Sequence, residues 1–204
     1  MISLISKIAV KFKPCILLAF KWWVWWSNFY QKIELKYMNT KPGLLKKFQN
    51  DPDAIDLNGR RSPALGWKNY CKDNGLYHYK RDKWYMLWDV ISHPARFLAR
   101  QGGDCDDFSR LAYDYFGERM LTADGISYYF LGLVSVIWKN GLGHSVAIWE
   151  NPNREHDFIM VSNSDLTRVK NYIEFWDYRH GGVVWVGYFG VDNDKITFRK
   201  IKST

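Results

Sequence analysis

The chain has 204 residues, of which 47% are hydrophobic and 18% aromatic, so it can form a sizeable core and is not a disordered protein. Its formal net charge is +8, but the basic residues concentrate towards the two ends and no nucleic-acid-reading motif accompanies them. Nucleic-acid binding is therefore not expected. The three cysteines, Cys15, Cys71 and Cys105, are too few and too widely spaced for a disulfide framework or a zinc site.

Residues 1–38 are predicted to form an amphipathic, tryptophan-rich helical arm, because apolar residues recur there at intervals of three and four. Pro14 is expected to kink or restart this helix. Residues 14–30 contain Lys21 and are barely long enough to span a membrane, and no small-residue cleavage site follows them. Tryptophan and lysine together favour a boundary between apolar and aqueous surroundings. We therefore expect the arm to contact either a membrane surface or a protein partner.

A membrane-associated or periplasmic location and a place in a larger particle such as a virion are both compatible with the arm.

The rest of the chain predicts a linker or wrapping segment followed by one domain. Residues 39–66 are rich in turn-forming pairs, and residues 67–204 form the domain. Helical patterns come first and strand patterns follow, which predicts an α+β fold with an antiparallel sheet. The predicted helices cover residues 92–100 and about 105–120, and the predicted strands cover 126–138, 144–149, 158–162, 183–191 and 196–201, with 166–178 as helix or loop.

Cys105 stands at the start of a predicted helix, directly after a glycine-bearing turn. Unpaired amide groups and the helix dipole favour a thiolate at that position. His144 opens a predicted strand, and Asn163 and Asp165 follow the next one. Because adjacent strands lie about 4.8 Å apart, these side chains can meet. The pattern predicts Cys105 as nucleophile and His144 as general base, with Asn163 or Asp165 orienting the imidazole.

These motifs also resemble a known family. The sequence Gly-Asp-Cys-Asp-Asp at 103–107 and the sequence Gly-His-Ser-Val at 143–146 are similar to motifs of the bacterial transglutaminase-like cysteine peptidases. The resemblance implies a papain-like core, in which the nucleophile helix packs on an antiparallel sheet, and a protein or peptide substrate. Where the family commonly has Leu-Asp-Asn, this chain has Val-Ser-Asn. Ser162 therefore occupies the position expected for the acid, beside Asn163, and Asp165 is the reserve candidate.

The carboxylates of Asp104, Asp106 and Asp107 flank the cysteine and oppose the effect of the helix dipole on the thiol. They are interpreted either as capping and dipole-complementing residues or, as the resemblance implies, as part of a calcium site. Three carboxylates alone do not complete a shell of six or more oxygens. The predicted chemistry itself requires no cofactor.

The sequence thus predicts a thiol-dependent hydrolase or acyltransferase, most simply a cysteine peptidase, that acts on peptide or side-chain amide bonds. By analogy with animal transglutaminases, one of Trp84 and Trp88 is a candidate donor to the oxyanion, and Gln101 is the rival donor. The alternative is a transglutaminase-like module with little or no catalytic power that serves as a structural or interaction subunit of a larger assembly such as a virion. Ser162 and the aromatic N-terminal arm favour that alternative.

Overall fold

The structure, a computed structural model, describes residues 13–38, 62–76, 91–140, 142–180, 182–193 and 195–204. It is a mixed α+β fold with one antiparallel sheet, which confirms the predicted class. The helices are α1 (Lys13–Met38), α2 (Pro63–Asp73), α3 (Pro94–Arg100), α4 (Cys105–Phe116) and α5 (Tyr172–His180).

The sheet contains seven strands of the described residues: β1 (Arg119–Leu121), β2 (Ser127–Trp138), β3 (Gly143–Glu150), β4 (Phe158–Ser162), β5 (Asp165–Val169), β6 (Val183–Asp192) and β7 (Lys195–Ser203). Six of them pair in the order β5-β4-β3-β2-β6-β7, and β1 pairs with the first residues of β2; all the pairings are antiparallel. The undecided segment 166–178 therefore divides into most of β5 and most of α5.

Helices cover both faces of the central strands. Along β2, Leu133 belongs to the core cluster formed with α1 to α4, whereas Val134 and Val136 belong to the cluster formed with α5. A strand that is buried on both faces needs apolar residues at consecutive positions. This explains why β2 and β6 are almost continuously apolar.

Helix α1 packs on the same core. Ile16 and Phe20 are buried in the main cluster, and the ring of Phe20 lies edge-on to that of Phe189 in β6 with centroids 5.2 Å apart. Pro14 is the second residue of α1 as the structure describes it, so the prediction that it kinks or restarts a longer helix concerns residues outside the described range. The part of the predicted helical arm that precedes Lys13 lies outside the described part of the chain.

Most of the predicted linker, residues 39–61, also lies outside the described residues. Helix α2 already begins at Pro63, where the Oγ of the N-cap Ser62 accepts a hydrogen bond from the amide of Leu65 at 3.3 Å. The predicted boundary at residue 66 therefore falls within α2.

Two glycines place the start and the end of α4. Gly103 has no room for a side chain, because a Cβ would overlap the carboxylate of Asp107 and the ring of Phe97. At the other end, Gly117 adopts a φ of 69°, which ends the helix four residues before the predicted position. The short strand β1 then begins at Arg119; three residues are too few to give a periodic signal.

Candidate active site

Cys105 is the first residue of α4 and is half-buried. The backbone amide of Ser145 in β3 donates a hydrogen bond to its Sγ at 3.4 Å. Pairing between β3 and β4 covers Ala147 to Glu150 on β3, so the amide of Ser145 lies beyond that ladder. A hydrogen bond donated to sulfur favours negative charge on it. The fold thus holds the thiol against the strand at the residue next to His144.

His144 is half-buried and lies near the start of β3. Its Nε2 is 3.0 Å from the Oγ of Ser162, the last residue of β4. Its ring also contacts the indole of Trp176 in α5, with centroids 4.5 Å apart and planes tilted by 54°. A hydrogen bond at one nitrogen and an aromatic contact together restrict the orientation of the imidazole.

Ser162 is therefore the side chain that the structure places at Nε2, in the position where the resemblance expects an acid. Asn163 follows in the turn, with a φ of 53°. Its carbonyl oxygen accepts a hydrogen bond from the indole of Trp67 at 3.0 Å. Its Oδ1 is buried, with no hydrogen-bond partner among the described residues. The turn is thus anchored through α2.

Asp165, the reserve candidate, is exposed at the start of β5, where it pairs with Ser162 in the strand register. Its charge acts on a different cysteine. Burial, reinforced by the negative charge of Asp165, raises the pKa of the Cys71 thiol to about 12. The structure thus brings Cys105, His144 and Ser162 to one place and leaves Asn163 in the adjoining turn and Asp165 at the start of β5.

The three aspartates beside the thiol are all buried, and their candidate ligand atoms lie within 4.8 Å of one another. Asp104 is the N-cap residue of α4, yet its side chain makes no capping hydrogen bond. Its Oδ1 is buried and has no hydrogen-bond partner within the described ranges. The capping interpretation therefore does not account for the Asp104 side chain.

Asp107 connects α4 to the segment before α3. Its Oδ1 accepts the amide of Ser92 at 2.6 Å, and the guanidinium of Arg100 lies 3.9 Å from its Oδ2. Arg100 also donates to the Oγ of Ser92 at 2.7 Å. Carboxylate oxygens are the ligands that calcium prefers, so the cluster fits a hard cation by ligand type, while Arg100 already supplies positive charge to one member.

Of the three candidate oxyanion donors, only Gln101 lies within the described residues. Gln101 is exposed, and its side-chain amide lies next to Gly75. Trp84 and Trp88 lie outside the described residues. Sequence reasoning missed Ser145, which acts through its backbone amide and so leaves no side-chain signal. It also missed Trp176, which belongs to a segment whose structure the sequence left undecided.

Comparison of the chain with protein-family models, with curated proteins and with solved structures finds no match in any of the three.

Proposed function

We propose that this protein is a thiol-dependent hydrolase or acyltransferase with a transglutaminase-like, papain-like core, most simply a cysteine peptidase acting on peptide or side-chain amides. One observation carries the proposal. His144, whose Nε2 is 3.0 Å from Ser162 Oγ, neighbours the residue whose amide donates to Cys105 Sγ at 3.4 Å. A sulfur nucleophile, an imidazole base and an orienting group are the components of a nucleophilic thiol site.

In this mechanism the Cys105 sulfur attacks the amide carbonyl carbon, and its proton passes to the imidazole of His144. The tetrahedral intermediate collapses when His144 returns that proton to the leaving amine, so that the C–N bond breaks and a thioester remains on Cys105. Water or a second amine then gives a proton to His144 and attacks the thioester. Collapse releases the acid or the new amide, and the proton returns to the sulfur.

Ser162 limits the catalytic power of the proposed Cys105–His144–Ser162 site. A hydroxyl orients the imidazole and selects its tautomer, but it supplies no negative charge opposite the imidazolium, as a carboxylate does. The neutral group favours a second candidate function, the catalytically weak module that serves as a subunit of a larger assembly. The two candidates differ in whether Cys105 is an activated thiolate.

A calcium ion held by Asp104, Asp106 and Asp107 is compatible with the proposal. Its charge would offset the three carboxylates next to the sulfur. The remaining ligands would be backbone oxygens or water, because three carboxylates do not fill its shell.

The first experiment is alkylation of the intact chain by iodoacetamide from pH 6 upwards, with each cysteine followed by mass spectrometry. We expect Cys105 to react at least about tenfold faster than Cys15 at neutral pH, because thiolate reacts and thiol does not. Cys71 should stay unlabelled, since its raised pKa keeps it protonated. His144→Ala should lower the alkylation rate of Cys105 to about that of Cys15. Cys15 is the exposed reference and Cys71 the buried one.

Equal labelling of Cys105 and Cys15, unchanged by His144→Ala, would exclude the enzyme proposal and leave the structural module. If Cys105 is activated, hydrolysis of a mixture of fluorogenic peptide amides should be lost in Cys105→Ala and retained in Cys71→Ala.

A further inference from the structure

Helix α1 has two faces with opposite surroundings. One face is buried against the domain and includes Ile16, Phe20, Ser27 and Glu34. The other face carries five large apolar side chains that are each 45% to 69% exposed: Leu18, Trp22, Trp25, Phe29 and Ile33. We call these five residues the aromatic stripe. Their spacing of three and four places them along one line of the helix.

The stripe is a continuous aromatic surface. The rings of Trp22 and Trp25 have centroids 5.4 Å apart, and those of Trp25 and Phe29 stack at 5.8 Å with planes only 6° apart. Trp26 stacks against all three of these residues. An exposed apolar patch of this kind marks an interaction site on a soluble domain.

The exposed charged residues of α1 are all basic. The helix exposes Lys13, Lys21, Lys32 and Lys36. Its single acidic residue, Glu34, is 4% exposed and accepts a hydrogen bond from the amide of His93 at 2.8 Å. No exposed acid on the helix therefore offsets these four lysines.

Side-chain hydrogen bonds of Asn28 hold α1 against the edge strand β7. The side-chain amide of Asn28 both donates to the carbonyl of Ile196 in β7 at 2.7 Å and accepts from its amide at 2.8 Å, which fixes the helix against the strand. Strand β7 contains no acidic residue, but its exposed Lys200 and Lys202 lie over the ring of Tyr188, which packs in the cluster with α5 on the other face of the sheet. The basic residues that flank the stripe are therefore those of α1.

We propose that the aromatic stripe docks this domain on an anionic lipid surface, with α1 lying in the plane of the membrane. Tryptophan rings prefer the headgroup region, and flanking lysines are attracted to anionic lipids. No helix among the described residues is long and apolar enough to cross a membrane. A second copy fits the stripe less well, because pairing two α1 helices would bring lysines together with no exposed acid between them. Docking is independent of whether Cys105 is active.

The test is co-sedimentation of the full chain with two kinds of vesicle, one of phosphatidylcholine alone and one with phosphatidylglycerol as about a third of the lipid. We expect preferential binding to the second kind, weakened by salt. Trp22→Ser with Trp25→Ser should lower the partition coefficient at least about tenfold on the anionic vesicles. Lys21→Gln with Lys32→Gln should remove most of the preference for phosphatidylglycerol.

The matched control is Tyr129→Ser with Leu142→Ser, which removes two other exposed apolar side chains and should leave binding unchanged. Circular dichroism and the melting temperature of each variant verify the fold. Absence of binding to both vesicles, or equal loss in the control, would overturn the proposal. A dimer in light scattering that Trp22→Ser with Trp25→Ser dissociates, with no vesicle binding, would assign the stripe to a second copy instead.

Discussion

At the scale of single residues, the third position of the proposed site is a serine and not an acid. Ser162 Oγ lies at the imidazole nitrogen where a carboxylate is expected, 3.0 Å from Nε2. A neutral hydrogen bond contributes about 0.5–1.5 kcal/mol, whereas a bond to a charged group contributes about 1.5–3 kcal/mol. The serine can therefore orient His144 and still stabilise its protonated form poorly.

Substitution of Ser162 tests that role. We expect Ser162→Ala to slow alkylation of Cys105 about three- to tenfold, because the ring loses its orienting bond. Ser162→Asp should speed alkylation near neutral pH, since the carboxylate stabilises the imidazolium that pairs with the reactive thiolate. The rate of iodoacetamide labelling against pH measures both effects.

Ser164→Asp is the control for this experiment, because it adds the same charge two residues further along the turn. If Ser164→Asp and Ser162→Asp have the same pH profile, the effect is one of general charge and Ser162 has no specific role.

The residue scale also shows what the motif could and could not predict. The helix start at Cys105 and the strand position of His144 follow from local signals, a glycine turn and a change of period. The amide of Ser145 and the ring of Trp176 reach the site through strand pairing and helix packing. These contacts depend on residues that are distant in sequence, so local patterns do not predict them.

At the scale of elements, α1 supports the segment that leads into α3 and α4. The Oγ of Ser27 accepts the amide of Ile91 at 3.2 Å, and Gln31 donates to the carbonyl of Ile91 at 2.8 Å. Glu34 accepts the amide of His93, and the amide of the intervening Ser92 binds Asp107. The buried polar residues of α1 are thus connected to the helix that carries Cys105.

Removal of one of these buried acceptors should destabilise the domain. Glu34→Ala leaves the amide of His93 without its acceptor and removes the carboxylate that lies 3.8 Å from Arg96. We expect a loss of about 1–3 kcal/mol in the free energy of unfolding, measured by urea denaturation. Lys32→Ala on the exposed side of the same helix should change it by less than about 0.5 kcal/mol. Equal effects of the two substitutions would show that α1 contributes little to the domain.

At the scale of the whole molecule, Asp157 links strands β2 and β5 and the segment that follows β3. Arg168 in β5 donates to both of its oxygens at 2.6 and 2.7 Å. Asn151, after β3, and Tyr128, in β2, donate as well. The hydrogen bonds from Arg168, followed by those from Asn151 and Tyr128, lower the pKa of the Asp157 carboxyl to about 2, against the opposing effect of burial.

This shift predicts how stability depends on pH. Because the pKa of Asp157 is lower in the folded chain than its ordinary value of 3.8, its contribution is fully present above about pH 4 and is lost as the pH falls towards 2. We expect Asp157→Asn to cost on the order of 1 kcal/mol at neutral pH, a discounted value because Arg168 is half exposed. The difference in the free energy of unfolding between Asp157→Asn and the unsubstituted chain should disappear as the pH falls towards 2.

Urea denaturation at pH values between 2 and 7 measures this difference, with Asp192→Asn at an exposed position as the control. A difference that stays constant down to pH 2 would contradict the assigned role of Asp157.

The sequence by itself determined the α+β plan, the helix start at Cys105, the strand that carries His144 and the amphipathic character of the first helix. These features depend on glycine turns and on the periods of helices and strands, which act over a few residues. Only the tertiary structure decided that Ser162 contacts His144, that Ser145 donates to the sulfur and which face of α1 stays exposed. Those outcomes depend on strand register and helix packing, and both are set by contacts between residues far apart in the chain.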